Sequence, residues 1–410
     1  MAHGRVVNFG AGPSALPLPV LEEASKGLLN FNGTGIGIAE ISHRGKDFAA
    51  FLAQTESNIR TMLDVPSTHR ILFTQGGGSL QFDAVVYNLL ARHRLLHPEP
   101  DHERVVDYCV TGSWSKKAME EARRLGGSRV NIAVDARPYS KDAKSFDNIP
   151  AHEHYAFSDD PALIYYCANE TVDGVEYAHE DDSPASFPFH RLPKGTLLPL
   201  VADYSSSFMA RPIPHLGEHA IIYAGAQKNI GPAGVTIVIV REDCMVDVDA
   251  AAKLGAAAVP ATLAYKTIAD NKSLYNTPSV LSLYISGLVL EHMKKLGGLP
   301  YYEALNKRKA EKVYAVVKEG EAKGILQRKV QDGSGSSVNV TFGLLGDGLQ
   351  EKFLKDADAQ GLKALAGHRS VGGIRVSLYN AVTEEDTDKL VAFIKEFIAN
   401  AEAAKSSDAQ

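Results

Sequence analysis

Cysteine is scarce: Cys109, Cys167 and Cys244 are the only three in 410 residues. They are widely separated and form no CxxC pair, so the sequence offers neither a disulfide framework nor a zinc ribbon, and a reducing compartment is expected. Basic charge is not in excess either, with 43 Lys and Arg against 49 Asp and Glu and a formal net charge of -6. A nucleic-acid surface is therefore not expected, and any anionic ligand must be met by a few local cations, which favours a small anion. Long apolar runs are missing too. The opening MAHGRVVNFGAGPSALP has no apolar centre of signal-peptide length, and no later run approaches a membrane span, so a cytoplasmic protein without a membrane partner is expected.

What is present suits a large core divided over two domains, with 45% hydrophobic and 22% charged residues. The most informative stretch is IIYAGAQKNIGPAG, Ile221 to Gly234. Lys228 sits there among Gly225, Gly231 and Gly234, between the strand-like LLPLVADYSSS, which carries Asp203, and the second strand GVTIVIV. An acid ending one strand and a lysine in a tight loop opening onto another is what an imine-forming cofactor needs. The amine attacks an aldehyde, and the carboxylate keeps a ring nitrogen protonated. Most lysines are solvated surface charges; the glycine frame and the apolar strands set this one apart.

Upstream, a helix begins near Pro19, and SHRG places His43 and Arg44 in a turn that either is solvated or binds an anion. HRILFTQGGGSLQFDAVVYNLL reads as strand, glycine turn and helix. Backbone N–H groups from Gly76 to Ser79 at a helix N-terminus suit a phosphate, although a plain connection has the same pattern. It is neither GxGxxG nor GxxxxGK[ST]. Trp114, the only tryptophan, falls at the next strand-helix turn, where its ring either stacks on a planar ligand or packs. ALIYYCANETVDG ends a strand in Asn169, Glu170 and Thr171, at the carboxyl edge where open α/β sheets bind ligands. AHEDDSPASFPFHRLPKGT, rich in acid, proline and serine, reads as a surface loop. Asn276 and Thr277 precede a long helix and on their own need only cap it. From about Ala304 the pattern becomes a small α+β unit containing His368, Arg369 and Arg375; the last lies in an apolar strand and calls for a bound carboxylate or an internal salt bridge.

Taken together, NFGAGPSALP, SHRG, TQGGGSLQF, NETVDG, VADYSS, YAGAQKNIGPAG, YNTP and GHRSVGGIRVSLYNA resemble, in order from Asn8 to Ala381, the phosphoserine aminotransferase family of fold type I pyridoxal phosphate enzymes. The resemblance implies an α/β fold. A large domain over 17–303, with a mostly parallel seven-stranded sheet covered by helices, would be joined by a small α+β domain over 304–410 together with 1–16. It implies that Lys228 binds pyridoxal 5'-phosphate and shuttles a proton, Asp203 pairs with the ring nitrogen, Trp114 stacks on the ring and Thr171 meets the ring hydroxyl. Gly78, Ser79, Ser205 and Gln227 would surround the phosphate, joined by Asn276 and Thr277 of a second subunit in a homodimer. Arg375 would clamp the substrate α-carboxylate; His43 and Arg44 from the partner chain, with His368 and Arg369, would hold the other anionic end of glutamate or 3-phosphohydroxypyruvate. The chain departs from the family pattern at Ser79, where many bacterial members carry arginine, and at Ala11, where some carry serine. The stretches around 136–160 and 178–195 also look longer than in bacterial relatives. The competing expectations are a related class V transaminase or lyase on an unphosphorylated substrate, and a non-enzymatic nucleotide binder using the glycine turn alone.

Overall fold

The structure, a computed structural model, describes residues 2–195 and 197–408. A two-residue strand β1 (Val7–Asn8) precedes helices α1 (Leu18–Leu29) and α2 (Lys46–Leu63). Strand and helix then alternate through β2 (His69–Thr74), α3 (Gly77–Leu96), β3 (Val105–Val110), α4 (Ser113–Leu125), β4 (Arg129–Asp135) and β5 (Pro161–Cys167). A small hairpin of β6 (Asn169–Glu170) and β7 (Val175–Glu176) leads to β8 (Leu200–Asp203), β9 (Ile221–Gly225) and β10 (Thr236–Arg241). Helices α5 (Val248–Lys253), α6 (Tyr265–Asp270), α7 (Val280–Lys295) and α8 (Gly298–Ala322) follow. The chain continues through β11 (Leu326–Arg328), β12 (Asn339–Leu344), α9 (Leu349–Ala359), β13 (Leu362–Lys363), β14 (Ile374–Ser377) and α10 (Glu384–Asp408).

Seven strands form one sheet in the order β2-β10-β9-β8-β5-β3-β4. β10 runs antiparallel to both neighbours and every other pairing is parallel, as the resemblance implies. Helices cover both faces, so the central strands are apolar throughout rather than alternating. In β9, for example, Ile222 and Ala224 face one core while Ile221 and Tyr223 face the other. A third core lies between β12, β14, α8, α9 and α10, and receives Val7 and Phe9 from the N-terminal segment because β1 pairs with β13. α8 serves two cores: Leu299, Tyr302 and Leu305 pack on the large sheet's side, whereas Ala310, Val313, Val316 and Val317 pack with the C-terminal strands.

The stretch 178–195 is not merely a surface loop. Ala185, Ser186 and Phe187 are buried. Phe187 stacks on Tyr166 of β5 with ring centroids 4.2 Å apart, a His152 ring nitrogen lies 3.0 Å from the Ser186 carbonyl, and Arg191 donates to the Tyr155 carbonyl at 3.3 Å. The stretches 136–160 and 178–195 thus close over each other. The aromatic burial of SFPF outweighs the acid and proline around it.

Lys309, on α8, is fully buried and points its ammonium at three main-chain carbonyls, Leu378 at 2.8 Å, Tyr379 at 3.0 Å and Val382 at 2.9 Å. It therefore ties the long helix to the turn after β14. Lys309→Met keeps the volume but removes the donor from the Leu378 and Val382 carbonyls, and is expected to cost about 2–4 kcal/mol. A denaturation midpoint equal to that of the wild type would show that the lysine is dispensable.

Candidate active site

The parallel strands end on one edge of the sheet, and there the residues singled out in the sequence meet. Asp203 is the last residue of β8, and Lys228 lies in the turn that follows β9. Between β2 and α3 the chain turns through Gly76 (φ 95) and Gly77 (φ 68), conformations that favour glycine, so that the first N–H groups of α3 open toward the same space. The cavity they enclose, about 300 Å³, is also lined by Gly78, Ser79, Trp114, Asn169, Thr171, Ser205 and Gln227.

The lysine is confined from above by the N-terminal segment. Its Nζ donates to the Ala11 carbonyl, Ser14 donates to the Lys228 carbonyl, and the Ser14 N–H donates to the Gln227 carbonyl at 3.1 Å. Gly12 (φ 122) passes so close that an added Cβ would sit 2.9 Å from the Lys228 Cδ and 3.0 Å from Nζ. Burial, reinforced by the nearby Arg375 charge, pulls the Lys228 amine down to about 8, while Asp203 acts in the opposite sense. Burial pushes Asp203 up, and donors from Ser205 and Tyr223 offset this by stabilising the carboxylate; the Ser205 N–H lies 2.8 Å from Oδ1.

Arg375 lies in β14, and its Nη1 donates to the Thr171 carbonyl at 3.3 Å. No acidic side chain forms a salt bridge with it among the described residues, and Thr171, whose carbonyl it meets, lines the cavity although Arg375 itself does not. His368 and Arg369 do not line the inner cavity. They edge a neighbouring cleft of about 910 Å³ together with Lys117 and Lys329, next to Ser113 and Asp173. Lys329 braces their loop by donating to the Val371 and Gly372 carbonyls at 3.1 and 2.8 Å. His43, Arg44, Asn276 and Thr277 lie outside the cavity of their own chain. Arg44 is exposed, and Gln75 beside the glycine turn donates to the Thr277 carbonyl at 2.9 Å.

Several working residues are silent in the sequence. Glu170 does not face the ligand space: its carboxylate accepts the Trp114 N–H at 2.8 Å and the Ser115 N–H at 2.9 Å, while Asp173 accepts the Ser113 N–H at 2.7 Å. These two buried acids hold the N-terminus of α4 and so fix where the indole stands. Burial raises Glu170 to about 8 and Asp173 to about 6, each opposed by these N–H donors. Gly112 is glycine because a Cβ there would lie 2.3 Å from the Glu170 carboxyl carbon. Asn229 joins the lysine turn to the chain after β14 by accepting the Asn380 N–H at 3.0 Å.

A strand-end carboxylate, a lysine of lowered basicity and a glycine-opened helix on the carboxyl edge of a mostly parallel sheet define a pyridoxal phosphate site of fold type I. The donors fit that cofactor. A Cβ on Gly78 would lie 3.3 Å from the Ser205 Oγ and 3.7 Å from the Asp203 Oδ2, so glycine keeps the space open, and the buried Asn169 Oδ1 in the wall has no hydrogen-bond partner. Comparison with known proteins agrees. The aminotransferase class-V family matches residues 6–390. A phosphoserine aminotransferase of Nitrosomonas europaea is 41% identical over 97% of this chain and 99% of its own, and one of Pseudomonas paraeruginosa is 42% identical over 96% and 98%. Among solved structures, the phosphoserine aminotransferase of Bacillus circulans subsp. alkalophilus superposes with a TM-score of 0.83 at 33% identity, over 97% of this chain and 99% of that one. The cofactor-bound phosphoserine aminotransferase of Trichomonas vaginalis does so with a TM-score of 0.79 at 33% identity, over 95% and 100%. The chain belongs to the phosphoserine aminotransferase family of the class-V, pyridoxal phosphate-dependent aminotransferases.

The lowered basicity of Lys228 gives a pH test. In the cofactor-free protein, labelling of Lys228 by an uncharged amine reagent should reach half its maximal rate near pH 8 rather than near the ordinary lysine value. Arg375→Met removes a cation that disfavours the ammonium, so the midpoint should move to higher pH. A midpoint unaffected by Arg375→Met would remove the arginine as a cause.

Proposed function

We propose that this chain transfers the amino group of glutamate to 3-phosphohydroxypyruvate, giving O-phospho-L-serine and 2-oxoglutarate, in the biosynthesis of serine. The observation that carries the reading is the meeting of Lys228, Asp203 and the glycine-opened N-terminus of α3 around one cavity, in a chain so similar to phosphoserine aminotransferases. Bound pyridoxal phosphate supplies an aldehyde carbon that takes up the amine and a ring that withdraws electrons. Lys228, partly neutral near physiological pH, would bind at that carbon and would move a proton at the substrate Cα. Asp203 would hold a proton on the ring nitrogen. Main-chain donors at Gly78 and Ser79, with Ser205 and Gln227, would hold the phosphate, Trp114 would cover the ring and Thr171 would meet its hydroxyl.

Both substrates carry an α-carboxylate and a second anion. Arg375, with no carboxylate partner of its own among the described residues, suits the first. Arg369, Lys117 and Lys329, grouped with His368 in a cleft of mixed charge, suit the second, and a few such local cations are what would let an acidic protein bind acidic substrates. In this reading His43, Arg44, Asn276 and Thr277 act in the other subunit of a homodimer. Their position outside their own cavity supports it, as does the exposure of Tyr275 and Leu281 beside Asn276 and Thr277. We also read 17–303 as the large domain and 1–16 with 304–410 as the small one, supported by the separate core around β12 and β14. A cytoplasmic setting accords with three buried, unpaired thiols, and no helix among the described residues is long and apolar enough to cross a membrane.

Lys228→Ala should abolish the yellow colour of the purified enzyme and its turnover; a coloured, active variant would dismiss the lysine. Arg44→Ala should raise KM for 3-phosphohydroxypyruvate about 10- to 100-fold, the loss expected for charge-assisted hydrogen bonds, with cofactor affinity nearly unchanged. Equal weakening of both would refute the anion assignment. Mixing Lys228→Ala with Arg44→Ala protein should restore activity through mixed dimers, whereas a mixture that stays inactive would count against a shared site.

A further inference from the structure

A second group of ligating side chains lies where α3 ends and where β3 and β5 begin. His93 and His97 are one helical turn apart at the end of α3, His102 lies in the connection to β3, and Asp160 immediately precedes β5. β3 and β5 pair with Val105 opposite Pro161, which brings the residues just ahead of both strands together. Asp203 ends a strand parallel to β5, so the group sits at the opposite edge of the sheet from the pyridoxal phosphate cavity.

All three imidazoles converge on one carboxylate oxygen. Asp160 Oδ2 lies 3.3 Å from His97 Nε2, 3.3 Å from His102 Nε2 and 3.7 Å from His93 Nε2. One donor atom from each of the four residues falls within 4.8 Å of all the others. Four ligands at zinc bond lengths of about 2.0–2.1 Å in a tetrahedron stand about 3.3–3.4 Å apart, so two of the three measured edges already match. His93 is only 3% exposed, yet neither of its ring nitrogens has a hydrogen-bond partner among the described residues. A buried polar ring aimed into a cluster without a partner leaves its lone pair free for a ligand. Asp160 is more than half exposed and gives an ion a way in.

The rings of His97 and His102 stack with centroids 4.2 Å apart and that of His93 is 4.6 Å from His97, so the three imidazoles form one compact group beside Asp160. We propose that His93, His97, His102 and Asp160 form a structural zinc site that staples the end of α3 to the starts of β3 and β5. Four protein donors leave no open position for substrate, which makes the site structural rather than catalytic.

Tag-free holoenzyme, dialysed against a chelator and then titrated with Zn²⁺ or Co²⁺ alone, tests this. One Zn²⁺ per chain is expected, with a raised thermal midpoint, a tetrahedral Co²⁺ absorption spectrum and unchanged cofactor absorbance. Combining His97→Asn with His102→Asn, both on partly exposed rings, should weaken Zn²⁺ binding at least about 100-fold, more than loss of an outer partner would. Asp160→Asn, a near-isosteric change at a side chain more than half exposed, should also weaken it if the double variant does not fold. Substoichiometric binding by the wild type, or one equivalent retained at wild-type affinity in these variants, would overturn the proposal.

Discussion

An amine kept away from water has to be held by something, and the arrangement of this chain follows from how Lys228 is held. The turn that carries it follows a wholly buried strand, its carbonyl and that of Gln227 are taken by Ser14, and its amine rests on the Ala11 carbonyl. Tyr379, just after β14, donates to that same carbonyl at 3.2 Å. The N-terminal segment, the lysine turn of the large sheet and the chain after β14 therefore meet at one main-chain oxygen. The low dielectric that results is also what lowers the amine's basicity, so the packing that confines the lysine makes it a better nucleophile.

Buried charged groups at two other junctions are held by pairing with main-chain groups. Glu170 and Asp173 could not remain under the sheet's edge without the N–H groups of α4, and α4 could not begin there without them. Lys309 likewise sits among three carbonyls of the turn it serves, of which that of Tyr379 also accepts the Val382 N–H. These pairings fix relative positions of elements, whereas the apolar cores only bring them close.

Much of this was legible in the sequence where the signal is local. Asp203 and Lys228 stand out because a strand ends at one and a glycine-framed turn carries the other; the strand-glycine-helix pattern around Gly76 to Gly78 is equally short-range. The α8 register, the sheet order and the pairing of β1 with β13 depend on contacts hundreds of residues apart, and only family resemblance supplied the sheet. Glu170 was read as facing a ligand because its strand ends at the carboxyl edge; the helix it seats starts 57 residues earlier in the chain, at Ser113. Ala11 contributes a carbonyl, which no side-chain pattern reveals. The loop around Phe187 was misjudged because acid, proline and serine are frequent there, while two phenylalanines decide its burial. The grouping of the histidines near the end of α3 has no local signal, since their acid partner lies 58 residues beyond His102.

The turn from Asn169 to Asp173 does two jobs at once. One of its carbonyls receives Arg375, and two of its acids seat the helix that bears Trp114. An engineer who wished to reshape the arginine's reach by altering this turn would tilt the indole in the same stroke. Specificity and cofactor stacking are mechanically linked here, and directed evolution toward new amino donors would have to alter them as a pair.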